Sequence, residues 1–315
     1  MKLDKPAGIS TLLLFSLVAA LWFLTSSAGA SVDHALFWPG LILILVLAAF
    51  TVQRCAALEG RKIYGLITAA VFGFWLIYLW QLLVTAFEVP RVLLPAPVAI
   101  MGSLVEQWDL LWGDFVQTVI KSVFSGWVMG CALGFGVAIA IDRMPFLQRG
   151  LLPIASLTST VPLVGVAPIA VMWFGFDWPS KAAVVVLMTF FPMLVSTLAG
   201  LQAAGKLERE LMHSYAASYG RTLVSLRLPC ALPFVFGALK VNATLALIGA
   251  IVAEFFGSPT AGLGFRISTE ASKMHMSLVW SAIVVAAITG SAAYSLLVQL
   301  ERKFAFWHPS VRSNQ

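Results

Sequence analysis

Residues 181–201 read KAAVVVLMTFFPMLVSTLAGL, an apolar run whose single charge stands at its first position. A helix of about 20 apolar residues is the length that crosses a bilayer core. A membrane barrel would show shorter segments of alternating polarity instead. Runs of the same kind recur at about 9–27, 36–52, 63–86, 118–141, 151–174, 231–254 and 277–298. The chain is 60% hydrophobic and 11% charged, with a mean hydropathy of +0.93. A soluble domain carries roughly 25% charged residues. These features predict an all-α integral membrane protein with about eight transmembrane helices.

Lys and Arg orient the runs, because cytoplasmic connections are enriched in them. With the N-terminus cytoplasmic, the inner segments hold Lys2, Lys5, Arg54, Arg61, Lys62, Arg143, Arg149, Lys206, Arg209, Arg221, Arg227, Arg302, Lys303 and Arg312. The outer segments hold only Arg91, Lys181, Arg266 and Lys273, while Glu88, Glu106, Asp109 and Asp114 fall between 88 and 117. Both termini are therefore expected in the cytoplasm. The net charge of +6 follows from this asymmetry, and no nucleic-acid partner is called for. Lys2, Lys5, the apolar stretch after them and Ala28-Gly29-Ala30 also resemble a signal peptide; cleavage there would leave the later topology unchanged. Cys55, Cys131 and Cys230 have no paired spacing, and the four His are scattered, so neither a metal site nor a cofactor is indicated.

Four features inside the runs bear on function. Ser122, Gly126, Gly130, Gly134 and Ala138 recur every fourth residue, a stripe that lets helix backbones approach closely; it serves packing, a subunit interface or a pathway lining. Pro162 and Pro168 break the run that also carries Thr160, and such breaks are tolerated where protein or a cavity satisfies the freed carbonyls. Lys240 and Asn242 lie 11–13 residues beyond Pro229, near mid-bilayer, where a lysine is costly and faces a cavity or a partner. Thr160, Pro162, Lys240 and Asn242 are the candidate translocation-pathway residues; the alternatives are a kinked packing helix for the first two and snorkelling or pairing with a carbonyl for the lysine. Glu254, at the end of its run, is expected to be solvated, ahead of the Gly-rich segment GSPTAGLGF. In the long outer segment, Trp108, Leu111, Trp112 and Phe115 predict a short amphipathic helix lying in the membrane interface.

Between two runs lies ELMHSYAASYGRTLVSLRLP, residues 210–229. It is amphipathic, basic and helical in pattern. In register it resembles the EAA-loop signature of bacterial ABC-importer permeases: Glu-Ala-Ala, three residues, Gly, nine residues, an aliphatic, one residue, Leu-Pro. Glu210, Leu226 and Leu228-Pro229 take the matching places. Leu211-Met212 replace Ala-Ala, and Ala216 stands where Gly is usual. Since Ala favours helix over Gly by about 0.8–1.0 kcal/mol, this departure predicts one continuous helix from about Leu207 to Tyr219, ending near Gly220. Just before it, Gly200 to Lys206 matches the first part of a phosphate-binding loop, but Leu207 stands where a Ser or Thr would bind Mg²⁺ and no strand precedes it. Energy must come from another polypeptide.

From about Leu93 to Pro309 the chain is similar to the importer permeases that serve sulfonates, nitrate and thiamine precursors. The stretches LLPAP, STVPLVGVAPIAVMWFGF, FFPMLVSTLAGL, ALPFVFGALKVNATLALIGAIVAEFFG and AGLGF carry the resemblance. ELMHSYAAS and LRLPCALPFVFGALK look most like the branch for hydroxymethylpyrimidine-type precursors. The resemblance implies a six-helix permease core, residues 61–306, with a cytoplasmic coupling loop at about 205–229. Residues 1–60 form a two-span N-terminal extension, and 307–315 a cytoplasmic tail. It implies a bacterial inner-membrane subunit with no catalytic residues of its own. Its partners are two cytoplasmic ATP-binding subunits, a second permease subunit (the same chain or a different one) and a periplasmic solute-binding protein, all assembled on the lipid bilayer. Glu210, His213, Tyr215, Ala216, Ser218 and Gly220 are then the coupling contact. A secondary transporter or channel is the alternative, but it should show inverted repeats, and none is evident. A membrane-embedded enzyme would need clustered His, Asp or Glu, and the carboxylates are dispersed.

Overall fold

The computed structural model describes residues 5–25, 35–57, 62–144, 146, 163–257 and 260–307. Every regular element among them is helical: α1 (Lys5–Thr25), α2 (Phe37–Ala56), α3 (Lys62–Ala86), α4 (Pro97–Glu106), α5 (Trp108–Arg143), α6 (Leu163–Phe174), α7 (Trp178–Gln202), α8 (Lys206–Ser214), α9 (Tyr219–Gly257), α10 (Leu263–Ser272) and α11 (Met276–Phe304). Six are long and apolar enough to cross a membrane: Phe37–Ala56, Gly65–Ala86, α5, α7, α9 and α11. The expected eight spans are thus six on this measure. The first run is represented by the shorter apolar helix Leu12–Thr25, and the fifth by Gly165–Phe174. Thr160 and Pro162 lie outside the described residues.

The chain divides into two compact units. In the first, α1, α2 and α3 close on a core of Ala20, Phe23, Phe37, Ile44, Ala48, Trp75, Tyr78 and Leu82. Two polar rivets cross it: Tyr78 Oη donates to the Ala20 carbonyl at 2.7 Å, and Trp75 Nε1 to Thr51 Oγ1 at 3.1 Å. Each satisfies a group that hydrocarbon could not. The N-terminal helices therefore pack on α3 through fitted side chains as well as apolar area. Trp80 stacks obliquely on Trp280, their ring centres 5.1 Å apart.

The second unit is built on α5, α7 and α9. The four-residue stripe of α5 faces α7: Ser122, Gly126, Gly130, Gly134 and Ala138 are all buried. A Cβ on Gly126 would stand 2.8 Å from the Ala182 carbonyl oxygen, one on Gly130 2.9 Å from that of Val186, and one on Gly134 2.5 Å from that of Phe190. The stripe serves intramolecular packing. Where it ends, Ala138 and Ile141 meet Leu194 and Leu198, while Val185 packs on Ala246 and Ala250 of α9.

Helix α5 corrects one expectation. Trp108–Phe115 does not form a separate helix lying in the interface; it runs without a break into the span as one 36-residue helix, about 54 Å long. No Pro separates the two parts. A π-helical stretch, Val116–Phe124, absorbs the change of register between them, and Ser122 Oγ returns to the Gln117 carbonyl at 3.0 Å. Helix α7 begins as its sequence Asp177-Trp178-Pro179 suggests. The Asp177 carboxylate accepts from the Trp178 N–H at 2.7 Å, and Pro179 lies in the first turn where no donor is missed.

Candidate functional site

Helix α8 buries none of its residues. Leu207, Leu211 and Tyr215, four apart, share one side of it and are 79%, 57% and 76% exposed. Glu208 stands in its first turn, the sign of charge the helix dipole favours there. The result is a short helix that presents an apolar stripe and packs it against nothing in the described chain.

The helix then stops, contrary to the continuous helix expected to Tyr219. Ala216 has φ +51°, in the left-handed region. The Ala216 N–H bonds the His213 carbonyl at 2.9 Å and the Ala217 N–H that of Met212 at 3.0 Å. This pair of bonds is the Schellman cap, whose left-handed position is usually Gly. The cap keeps the carbonyls of Met212 and His213 bonded, as a continued helix would, so stopping here forfeits neither bond, and the tertiary bond of Tyr219 to Asp142 just beyond overrides the helical preference of Ala. Ser218 restarts the chain, its Oγ accepting from the Arg221 N–H at 3.4 Å, and Gly220 sits inside the new turn instead of ending the old one. Glu210, His213, Tyr215, Ala216, Ser218 and Gly220 are all exposed along this one segment.

Beyond Ser218 the segment is gripped by the bundle. A π-helical turn, Leu223–Arg227, leads into the rest of α9, and Arg227 reaches both neighbours. Its two terminal nitrogens bond the Asp142 carboxylate at 2.7 and 2.6 Å, and its Nε bonds the Leu201 carbonyl at 3.0 Å. Tyr219 Oη donates to the same carboxylate at 2.8 Å, while the Arg143 guanidinium lies 5.8 Å from the Tyr219 ring centre. Sequence reading missed Asp142 and Arg227 as a pair. Their signal was a lone acid closing one apolar run and a basic residue immediately before the Leu-Pro that opens another.

Of the candidate pathway residues, Lys240 and Asn242 are described, and they do not share a site. Lys240 pairs with Glu301 of α11 at 2.7 Å, both partly exposed. Asn242 is fully buried on the opposite side of α9 and donates to the Thr189 carbonyl at 2.8 Å and to Cys131 Sγ at 3.3 Å.

A second polar network surrounds α10. Glu254, expected to be solvated, is 1% exposed. Its carboxylate accepts from Thr118 Oγ1 at 2.8 Å and from the Gly264 N–H at 2.8 Å, and Thr118 accepts in turn from the Leu263 N–H at 2.7 Å. Asp114 takes the Gly262 N–H at 2.8 Å and Arg266 Nε at 2.7 Å. Gly262, with φ +132°, makes the turn that aims these donors inward. The Lys181 amine caps the carbonyls of Phe176 at 2.5 Å and of Gly257. Hydrogen bonds from Gln117 and the Trp178 N–H hold the nearby Asp177 carboxyl below its ordinary range.

Long apolar helices joined by an exposed amphipathic connector define an integral membrane transport component. The chain belongs to the family of binding-protein-dependent transport system inner membrane components, whose pattern it matches over residues 132–305. It is 29% identical to a probable ABC transporter permease protein of Haemophilus influenzae, over 67% of this chain and 85% of that one. It is 26% identical to the formylaminopyrimidine transport permease protein ThiX of Halalkalibacterium halodurans, over 78% and 98%. To the putative aliphatic sulfonates transport permease protein SsuC of Bacillus subtilis it is 28% identical, over 80% and 91%. It is a multi-pass inner-membrane permease of the ABC importer class, a transport subunit that works with an ATPase and a solute-binding protein.

Proposed function

We propose that this chain forms the translocation pathway for a small polar organic solute and receives force from the ATPase through α8 and the turn after it. The carrying observation is the exposed stripe Leu207, Leu211 and Tyr215 on a helix that buries nothing else. An apolar stripe on a connector has no lipid to meet, and a cleft on a partner subunit is the surface it fits. Glu210, His213, Ser218 and Gly220 flank the contact, and Ala216 sets the angle at which α8 leaves the bundle. Two ATP-binding subunits, one for each of two permease subunits of the same or different kind, complete the assembly with the periplasmic binding protein. Both termini are cytoplasmic, and residues 1–60 extend a permease core at 61–306.

The pathway runs along the side of α9 that carries Lys240. An ion pair within a span is costly unless it serves a cavity or a partner, and Lys240 with Glu301 is such a pair. Asn242 braces α9 from the opposite side, and Thr160 and Pro162, in the apolar run before α6, complete the proposed lining. The relatives named for formylaminopyrimidine and for aliphatic sulfonates favour a solute of pyrimidine, thiamine-precursor or sulfonate type.

Leu211→Glu tests the coupling surface. A buried contact of this kind contributes at least about 2 kcal/mol, so the ATP-binding subunit should bind about thirtyfold more weakly, while the permease still inserts. Retention of that subunit at wild-type level through purification would remove α8 as the docking element.

A further inference from the structure

Building on the coupling role of α8, we propose that Asp142 is the positioning residue that transmits movement of the coupling segment to the bundle. Two weak points lie on the covalent route from α8 into α9. The first is the turn at Ala216, where the helix is capped and restarted. The second is the π-helical turn Leu223–Arg227, followed at once by Pro229 and then Pro233. A π turn and a proline both loosen the hydrogen-bond ladder and let a helix bend. A push delivered through this stretch alone would be spent on bending it.

Side chains bridge the second of these weak points. Tyr219 lies before the π turn and Arg227 at its end, and both bond the Asp142 carboxylate. The carboxylate thus ties the two ends of the soft turn to one fixed point. That point sits in the last turn of α5, whose glycine face is seated against the α7 backbone. Arg227 adds a direct bond to the Leu201 carbonyl in the last turn of α7. Movement of the coupling segment is therefore handed to α5 and α7 together, without passing along the backbone of α9. The side chains of Arg227 and Asp142 are only 12% and 6% exposed, so water has little access to the ion pair at the centre of the joint. Four donor-acceptor bonds among Arg227, Asp142, Tyr219 and the Leu201 carbonyl fix direction as well as distance, which a single ion pair would not.

The joint predicts that the end of α5 and the start of α9 keep their separation when nucleotide changes the state of the ATPase. Spin labels at Met144 and Val224, both exposed, measure it in the full complex with its co-purifying ATP-binding subunit. ATP plus vanadate serves as the trapping probe. In the wild-type protein the 144–224 distance should be the same with and without the trap. In Asp142→Asn it should change on trapping by more than about 2 Å, the scale of helix shifts in switching transitions, while the ATP-binding subunit still co-purifies. Asp142→Glu, which keeps the charge, should return the distance to nucleotide independence.

A distance that moves on trapping in the wild-type protein overturns the proposal, as does an Asp142→Asn protein that behaves like wild type. Loss of the ATP-binding subunit in Asp142→Asn also overturns it, by assigning Asp142 to assembly instead. Failure of the unmutated chain to retain an ATP-binding subunit would remove the coupling reading itself, a separate outcome from failure of the joint.

Discussion

Ala216 shows how a single residue can be located by sequence and still misread. Its place in the 210–229 pattern was legible, because the spacing from Glu210 to Leu228-Pro229 is fixed by the whole segment. Its conformation was not. Helix propensity argued for continuation, a preference of about 1 kcal/mol. The cap pairs the same two carbonyls that continuation would pair, so the helix can stop without losing them, and the Tyr219 bond to Asp142 beyond the turn decides. Ala in the left-handed region carries a cost of roughly 1–2 kcal/mol that Gly does not, offset in part by the greater freedom of Gly when unfolded. Ala216→Gly should therefore stabilise the turn by about 0.5–1 kcal/mol, and Ala216→Val should destabilise it. Hydrogen exchange at the amides of Ala216 and Ala217 reads both directions. Faster exchange in Ala216→Gly would show that the left-handed turn is not the resting conformation. Glu254 was misread for a related reason: its donor Thr118 comes from a distant helix, and the nearby Gly264 N–H reaches it only through the turn at Gly262.

Elements were easier to read than their relations. The small-residue stripe of α5 was plain at its four-residue spacing, yet three roles remained open for it. Only the contact with the α7 backbone decided for packing, since Gly126, Gly130 and Gly134 all abut that helix. The position of each glycine also says what a side chain would do. At Gly130 a Cβ would press on the Val186 carbonyl, backbone that cannot swing aside. Overpacking of this kind costs typically 1–3 kcal/mol. Gly130→Val should lower thermal stability in detergent, whereas Gly136→Val, at a position with open space around it, should leave it unchanged. Equal midpoints for the two variants would contradict the α5–α7 seating. The length of α5 was missed because the aromatic spacing of Trp108, Trp112 and Phe115 suits an interfacial helix as well as the projecting end of a long one.

At the scale of the whole molecule, the geometry of one helix and one ion pair constrains the topology. Asp109 and Asp142 stand at opposite ends of α5, about 50 Å apart along a helix rising 1.5 Å per residue. The hydrocarbon core is about 30 Å thick, and 40–45 Å with its headgroups, so the two acids belong on opposite faces of the membrane. Tyr219 bonds Asp142 directly, which puts Ser218 on the Asp142 face. Relative sidedness thus follows from distances, and the proposed orientation, argued from the excess of Lys and Arg around α8, puts that face in the cytoplasm. A cysteine at Asp109 should react with an impermeant thiol reagent in intact cells, and one at Ser218 only after lysis. If both react in intact cells, α5 does not span the membrane. If the pattern is reversed, the helix spans but the charge rule has been misapplied to this chain.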